Sequence, residues 1–327
     1  MQVIFPGVQA LAEAPAHDGP GPCHHANSPG GLGRKHTLMG FQKRLTSGDF
    51  VILAEINTPK GVNISELVTN ARRIKDRVDA VVVPDMDSGV MRLSALGGGV
   101  LMHQQGIETI MHVYCRDRNR MALQGDILAA HVLGIQNLLV VEAEDISSSD
   151  HPDTRPVNDL DAVGLMGAIR SLQDGVDMAG FELDGPPSFN VGCPLGPYAE
   201  EDLEQAIALT KKKVDLGAQF IITPPVFDLD RYASLANRLK DLGVPIIPTV
   251  FLLKTVGIAR YMATYEPGAH ISEALITRIR KSPDRETEGI RIAAETINGL
   301  RSMAQGVLIV TLGWEHRIPE ILDYADL

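Results

Sequence analysis

Residues 51–56 read Val-Ile-Leu-Ala-Glu-Ile and form the first of eight short apolar runs. The other seven lie at 80–83, 109–114, 138–141, 189–192, 220–223, 245–250 and 307–311. A stretch with helical periodicity separates each run from the next, at 63–78, 91–105, 119–133, 159–174, 199–216, 229–241 and 284–304. Apolar strands that alternate with helices indicate a parallel sheet covered by helices. Eight such units predict a single-domain (β/α)8 barrel; an open doubly wound sheet is the alternative.

The length and composition of the chain fit one domain with a loose beginning. The chain has 327 residues, of which 44% are hydrophobic, and this is enough for one large core. Residues 1–37 are rich in Gly, Pro and His and have no strand or helix periodicity. We therefore expect a mobile or extended N-terminal arm at 1–37 and the barrel at 38–327.

Charge and cysteine content exclude several classes of protein. The chain has 30 basic and 41 acidic residues, a formal net charge of −11, and its basic residues are scattered, which argues against a nucleic-acid partner. Its three cysteines form no CxxC pair, so we expect neither a disulfide framework nor a metal site, although Cys23-His24-His25 are possible ligands. No apolar run is long enough for a membrane span, and no secretory signal begins the chain. These features predict a cytoplasmic protein.

Polar residues where the strands end are the first candidates for function. The active sites of (β/α)8 barrels lie at the carboxyl ends of the strands. For contact with a substrate this rule selects Glu55, Thr223 and Lys254, together with Glu144 in the loop after the fourth strand.

Glu55 is the strongest single candidate. Its carboxyl group interrupts an apolar strand, and burial would raise its pKa towards the range that a general acid needs. The alternative is a structural carboxylate paired with Arg or Lys inside the barrel mouth. Position favours the catalytic role.

A second group of candidates follows the third strand. His112 lies near its end, and Arg116, Asp117, Arg118 and Asn119 lead into the next helix. Free amides at a helix start and adjacent arginines would suit a phosphate-bearing ligand. Alternatively, Asp117 or Asn119 caps the helix and the arginines face water.

Three carboxylates follow the fourth strand, at Glu142, Glu144 and Asp145. They either bind a cation or a cationic intermediate, or face water in a loop. The triplet Lys211-Lys212-Lys213 lies on an amphipathic helix, and we interpret it as a solvated face.

Several stretches resemble the methylenetetrahydrofolate reductase family, in particular its bacterial, FAD-dependent type. They are MRLSAL at 91–96, QQGIETIMHVYCRDRN at 104–119, LQGDILAAHVLGIQNLL at 123–139, DHPDT at 150–154 and VNDLDAVGL at 157–165. A weaker likeness continues through VPIIPTVFLLKTVGIARYM at 244–262. The resemblance implies a (β/α)8 barrel that reduces 5,10-methylenetetrahydrofolate to 5-methyltetrahydrofolate through bound FAD.

The resemblance also implies a role for particular residues. Glu55 matches the family's glutamate, which protonates N10 of the folate so that its five-membered ring opens to an iminium. His112 matches a residue that lines the flavin, and Phe227 stands in the segment after the sixth strand that is implied to contact the substrate. Glu144, or Asp145 after a one-residue shift, takes the place of the family's aspartate near the flavin and the pterin, so Glu144 is the second catalytic candidate. The positions implied to contact the cofactor are Arg116, Asp117, Arg118, Asn119, Glu144, Asp145, Asn158 and Asp161.

The chain departs from the family pattern at four places on this face. It has Glu142-Ala143-Glu144 where the family has a T-G-D or R-G-D triplet, and Asn158 where a tyrosine is frequent. It also has Pro224 in place of a glutamine, and Cys193-Pro194-Leu195-Gly196 in place of an Asn-Pro pair. A proline removes both an amide side chain and a backbone donor.

The departures leave other functions open. The electron donor implied by the family is NAD(P)H or a partner redox subunit, and the chain is a possible homo- or hetero-oligomer. One alternative is a divergent member with another one-carbon substrate or without flavin. The other is a non-catalytic barrel subunit of a larger redox complex.

Overall fold

The computed structural model describes residues 40–142, 146, 149–196, 200–266 and 268–327. The N-terminal arm predicted at 1–37 therefore lies outside the described residues, as do Glu144 and Asp145. Within the described residues the chain forms eight strands, β1 to β8, at Val51–Glu55, Ala80–Val83, Thr109–Tyr114, Asn137–Val141, Asn190–Pro194, Phe220–Pro225, Ile246–Phe251 and Gly306–Val310.

The eight strands close into a barrel in the order of the chain, and all neighbouring pairs are parallel. Closure is made by β1 and β8, where Val51 pairs with Gly306 and Ala54 with Ile309. The predicted (β/α)8 fold is confirmed. The strand positions agree with the apolar runs to within two residues at each end.

The described residues also form eleven α-helices, named α1 to α11. They lie at Phe41–Thr46, Ser65–Ile74, Ala95–Gln104, Arg120–Val132, Ala162–Gln173, Leu203–Asp215, Leu229–Leu239, Val256–Tyr265, Glu273–Lys281, Arg285–Leu300 and Ile318–Tyr324. The sequence predicted seven of them and missed four: α1, α8, α9 and α11. Two of the missed helices stand between β7 and β8, so that connection carries three helices instead of one.

Alternation along each strand divides the core in two. Val51 and Leu53 of β1 point into the barrel, where they join Phe220 and other inward side chains, and Ile52 and Ala54 face the helices. Gly192 of β5 is required by this packing, since a Cβ there would stand 2.3 Å from the ring of Phe220.

Helix α1 closes the amino-terminal end of the barrel. The ring of Phe41 meets Phe220 edge-on at 5.3 Å, and its backbone N–H donates to Glu108 at 2.7 Å. Asn137 donates to the other oxygen of Glu108 at 3.0 Å, and Asn190 donates to Asn137 at 3.0 Å. The buried polar side chains at this end thus bond to one another and to α1.

Candidate active site

Glu55 and His112 face the inside of the barrel at its carboxyl end. Glu55 lies on the same face of β1 as Val51 and Leu53, and only 2% of it is exposed. His112 likewise lies on the inner face of β3, with its ring centroid 6.1 Å from that of Tyr114. Val82 of β2 pairs with Glu55 on one side and with Ile110 on the other, two residues before His112. Both side chains therefore enter the barrel mouth at neighbouring heights.

His112 is a polar side chain that the described residues leave unsatisfied. It is 3% exposed, and neither of its ring nitrogens has a hydrogen-bond partner among the described residues. Burial lowers the pKa of the ring well below its usual value of 6.5, so the ring is neutral at neutral pH. A neutral imidazole has one donor and one acceptor nitrogen. Such a group is suited to a bound ring system that offers the complementary atoms.

Two arginines after β3 are paired with carboxylates. Arg116 is 1% exposed and makes two bonds to Asp117, at 2.8 and 2.9 Å. Arg118 bonds Asp85 at 2.5 Å and Asp126 at 2.9 Å. These pairs border a cavity of about 270 Å³ whose other walls include methionines. The solvated alternative is therefore wrong for Arg116, whereas Arg118 is partly exposed and ion-paired.

The first amides of α4 are occupied by side chains of the protein. The side chain of Asn119 accepts from the N–H groups of Met121 and Ala122, at 3.1 and 3.0 Å. Asp159 accepts from the N–H of Arg120 at 2.9 Å and also pairs with its guanidinium. A phosphate at this helix start would have to displace both caps. Asn119 is thus the N-cap that the sequence offered as an alternative.

Asn158 and Asp161 lie in the segment that leads from β4 into α5. Asn158 is exposed and has a left-handed backbone with φ of 47°. The N–H of the preceding Val157 donates to the backbone carbonyl of Arg116 at 2.8 Å. Asp161 caps α5 by accepting from the N–H of Gly164 at 2.6 Å. Burial and then the charge of Asp161 raise the pKa of the Cys115 thiol, which places Asp161 near the residue that directly follows β3.

Lys213 is a buried residue that the sequence interpretation missed. Its ammonium group is completely buried and donates to Glu142 at 2.7 Å and to the carbonyl of Pro194 at 3.1 Å. The solvated interpretation of this lysine is therefore wrong. Helical spacing was the available signal, because Leu203, Thr210 and Lys213 share the buried face of α6. The pair ties α6 to the ends of β4 and β5.

The end of β6 leads to a second cavity. Thr223 is buried, and its carbonyl accepts from the hydroxyl of Thr249 at 2.7 Å. Pro224 and the half-buried Phe227 line a cavity of about 240 Å³ that continues along α7. Of the residues predicted here, Phe227 is therefore the one that faces open space.

Lys254 belongs to a buried cluster between the ends of β7 and β8. It donates to the carbonyl of Leu312, and its ammonium stands 5.1 Å from the centre of the Trp314 ring. Burial lowers the pKa of Lys254 to about 8. Glu315, whose pKa burial raises, accepts from the N–H groups of Gly313 and Asn57 and so holds the loop after Glu55. Lys254 and Glu315 are therefore engaged with the protein itself.

Among the described residues, no three side chains of His, Cys, Asp or Glu are grouped as metal ligands. The segment Cys23-His24-His25 lies outside the described residues. None of the described helices combines the length and the apolar character needed to cross a lipid bilayer.

Comparison with known proteins identifies the family of this chain. Residues 40–326 match the family model of methylenetetrahydrofolate reductase. The chain belongs to the methylenetetrahydrofolate reductase family. A Schizosaccharomyces pombe relative, methylenetetrahydrofolate reductase 2, is 22% identical over 281 residues, which are 81% of this chain and 43% of that protein. Methylenetetrahydrofolate reductase (NADH) 1 of Arabidopsis thaliana is 26% identical over 149 residues, 44% of this chain and 25% of that protein.

The solved structures agree on the fold. A protein from Clostridium thermocellum, described as binding two copies of 5-methyl-5,6,7,8-tetrahydrofolic acid, superposes with a TM-score of 0.57 at 15% identity. The alignment covers 87% of this chain and 96% of that one. This chain spans less than half the length of the two curated family members above.

Proposed function

We propose that this barrel reduces 5,10-methylenetetrahydrofolate to 5-methyltetrahydrofolate, with FAD bound in the barrel mouth. The observation that carries the proposal is that Glu55 and His112 both lie on the inner wall of a barrel of this family. One is an acid and the other is a neutral imidazole without partners among the described residues.

Glu55 is the proton donor in this reaction. Its proton passes to N10 of the folate, the bond between N10 and the methylene carbon breaks, and a cationic iminium forms at N5. The carboxylate left on Glu55 stabilises that cation in a buried environment, where charge interactions are stronger than in water. Such general acid catalysis contributes about 10² to 10⁴ in rate.

The residues present fit the ring of FAD better than its phosphates. The two unpartnered nitrogens of His112 suit the polar edge of a ring system placed in the mouth. In contrast, the amides at the start of α4 are capped, and Arg116 and Arg118 are paired with carboxylates. His112 would therefore hold the flavin ring, and the bound flavin would supply the hydride for the methylene carbon.

The electron donor in this proposal is a nicotinamide dinucleotide or a partner redox subunit. The name of the Arabidopsis relative gives NADH as its donor. Pro224 supports a partner subunit, because it stands where the family has a glutamine that contacts folate or nicotinamide. Steady-state assays with NADH, NADPH and a reduced viologen dye distinguish the two sources.

An absorption spectrum of the purified protein tests the flavin. We expect bands of bound FAD that bleach under a reductant and return when 5,10-methylenetetrahydrofolate is added. Protein that cannot be reconstituted with any flavin, under conditions in which it stays folded, would contradict the proposal.

A second function is favoured by the capped start of α4. If no phosphate can displace Asn119 and Asp159, the chain is a flavin-free relative that binds folate and oxidises the nicotinamide directly. The same spectrum separates the two: a colourless protein that still consumes NADH with 5,10-methylenetetrahydrofolate supports this second function.

A further inference from the structure

Glu315 is a buried carboxylate just after β8 that the proposed chemistry at Glu55 does not use. It is 5% exposed and begins a short 3₁₀ helix, Glu315–Arg317, that leads into α11. Leu312 and Gly313 precede it with φ of 45° and 83°. A left-handed leucine is a strained residue, and such strain is retained mainly where the surrounding structure fixes a useful geometry. The turn before Glu315 is therefore a feature that calls for a role.

Backbone N–H groups from both sides of the barrel seam hold the carboxylate of Glu315. They belong to Gly313 at 3.1 Å, to Glu315 itself and to Asn57, which lies two residues after the end of β1. The contact with Asn57 crosses the seam at which β1 and β8 close the barrel, beyond the pair formed by Ala54 and Ile309. Glu315 thus extends the attachment of β1 to β8 into the loop that follows β1.

The loop after β1 is fixed on its opposite side by the chain that follows β2. The hydroxyl of Thr58 donates to the carbonyl of Leu93 at 2.6 Å, and the N–H of Leu93 donates to the carbonyl of Pro59 at 2.9 Å. Arg92 donates to the carbonyl of Thr58 at 3.1 Å. These bonds hold the loop from the β2 side, and Glu315 holds it from the β8 side. The acid at the end of β1 therefore lies at the base of a loop with two attachments.

A buried lysine compensates the charge of Glu315. Lys254, which follows β7, is 5% exposed and attracts Glu315 electrostatically. Burial raises the pKa of Glu315 and lowers that of Lys254 to about 8, so each group supports the charge of the other. In Glu315→Gln the remaining oxygen still accepts from a backbone N–H, and Lys254 can release its proton instead of staying charged without a counter-ion. This variant therefore separates the contact from the charge.

We propose that Glu315 is a positioning residue for the acid at Glu55, which it orients in the barrel mouth by accepting from the N–H of Asn57. The inference rests on the proposed function. An acid transfers its proton efficiently only within hydrogen-bond reach of the receiving atom, here N10 of the folate. A displacement of about 1 Å can lower the rate about 100-fold. Release of Asn57 is thus expected to displace Glu55 and slow the opening of the folate ring.

Single-turnover kinetics of the purified full chain, reduced at its flavin, test the inference with 5,10-methylenetetrahydrofolate as the oxidant. We expect Glu315→Ala to lower the maximal rate of flavin reoxidation about 10- to 100-fold, while the folate concentration at half-maximal rate stays at the parental value. Glu315→Asp, which withdraws the carboxylate by a methylene and keeps its charge, should also slow the step. Glu315→Gln should restore most of the rate. Glu320→Ala on α11, which loses an ion pair with Arg317, is the matched control and should react as the parent does.

A double-mutant cycle with Glu55 distinguishes positioning from a general loss of structure. If Glu315 acts through Glu55, Glu315→Ala costs no further rate in the Glu55→Gln background, whereas independent effects multiply. Hydrogen–deuterium exchange gives a readout that needs neither flavin nor folate. The amide of Asn57 should exchange faster in Glu315→Ala than in the parent protein, and Glu315→Gln should keep most of its protection.

The possible outcomes are distinct. Parental rates in Glu315→Ala and Glu315→Asp, or losses that multiply in the double variant, would overturn the inference and leave the proposed function standing. Parental turnover in Glu55→Gln, or a chain that takes up no flavin, would overturn the proposed function itself. Should Glu315→Ala melt below the assay temperature, the Asp and Gln variants carry the same comparison. A loss that the Gln variant restores, and that disappears in the Glu55→Gln background, supports Glu315 as the positioning residue.

Discussion

The two ends of the barrel differ in how the polar side chains at their centre are hydrogen-bonded. At the amino-terminal end, Glu108, Asn137 and Asn190 bond to one another and to the backbone of α1. At the carboxyl-terminal end, both ring nitrogens of His112 lack partners among the described residues. Paired buried groups stabilise a fold, whereas an unpaired buried group costs free energy and is retained where a ligand uses it. We therefore expect substitutions at the amino-terminal end to change stability and substitutions at His112 to change ligand binding.

The largest expected effect comes from exchanging one glutamate at each end. Glu55→Gln keeps the shape of the side chain but removes the acidic proton, so we expect turnover of 5,10-methylenetetrahydrofolate to fall about 10²- to 10⁴-fold. Glu108→Gln is the matched control at the opposite end, where the expected loss is in stability. Stopped-flow oxidation of the reduced protein measures the first, and thermal melting the second. Equal turnover in Glu55→Gln and parent protein would remove the acid role.

The second expected effect concerns the amino-terminal end of the barrel, where the polar side chains are hydrogen-bonded to one another. Asn137→Leu removes the donor to Glu108 and the acceptor of Asn190, leaving the buried Asn190 and the partly buried Glu108 with fewer partners. We expect a loss of about 1–3 kcal/mol in the free energy of unfolding. Urea denaturation followed by circular dichroism measures it, and folate affinity should stay at the parental value. An unchanged unfolding midpoint would show that the network at this end does not stabilise the barrel.

The smallest expected effect is a dependence of folding stability on pH, which His112 in the barrel mouth causes. The pKa of His112 is lower in the folded protein than its usual 6.5 in the unfolded chain, because burial disfavours the charged ring. The unfolded state therefore binds a proton first as the pH falls. Stability is complete above pH 6.5 and decreases below it, by up to about 1.4 kcal/mol per pH unit.

His112→Phe isolates this contribution. The variant should lose that part of the slope between pH 6.5 and 5, while its stability at pH 8 equals or exceeds that of the parent, because an unsatisfied polar group has been removed. Its affinity for flavin should fall. Identical slopes in urea denaturation series of the two proteins would show that His112 does not titrate as a buried neutral ring.

Part of the candidate site was predictable because strand alternation is a local property. Glu55 and His112 were identified because each stands near the end of a short apolar run, and alternation then places each on the same face as the residues two positions away in its strand. The partners of the arginines were not predictable in this way. Asp85 meets Arg118 across 33 positions of the chain, and only folding brings them together.

The sequence by itself determined the barrel, its strand positions, the family and the two inward residues of the mouth. Each of these follows from periodicity or from motifs within one stretch of chain. Tertiary structure decided which polar groups are already engaged. Lys213 is buried against Glu142, Asn119 and Asp159 cap α4, and the ring nitrogens of His112 have no partner among the described residues. The physical reason is that a hydrogen bond depends on distance in space, and residues far apart in sequence become neighbours only when the barrel closes.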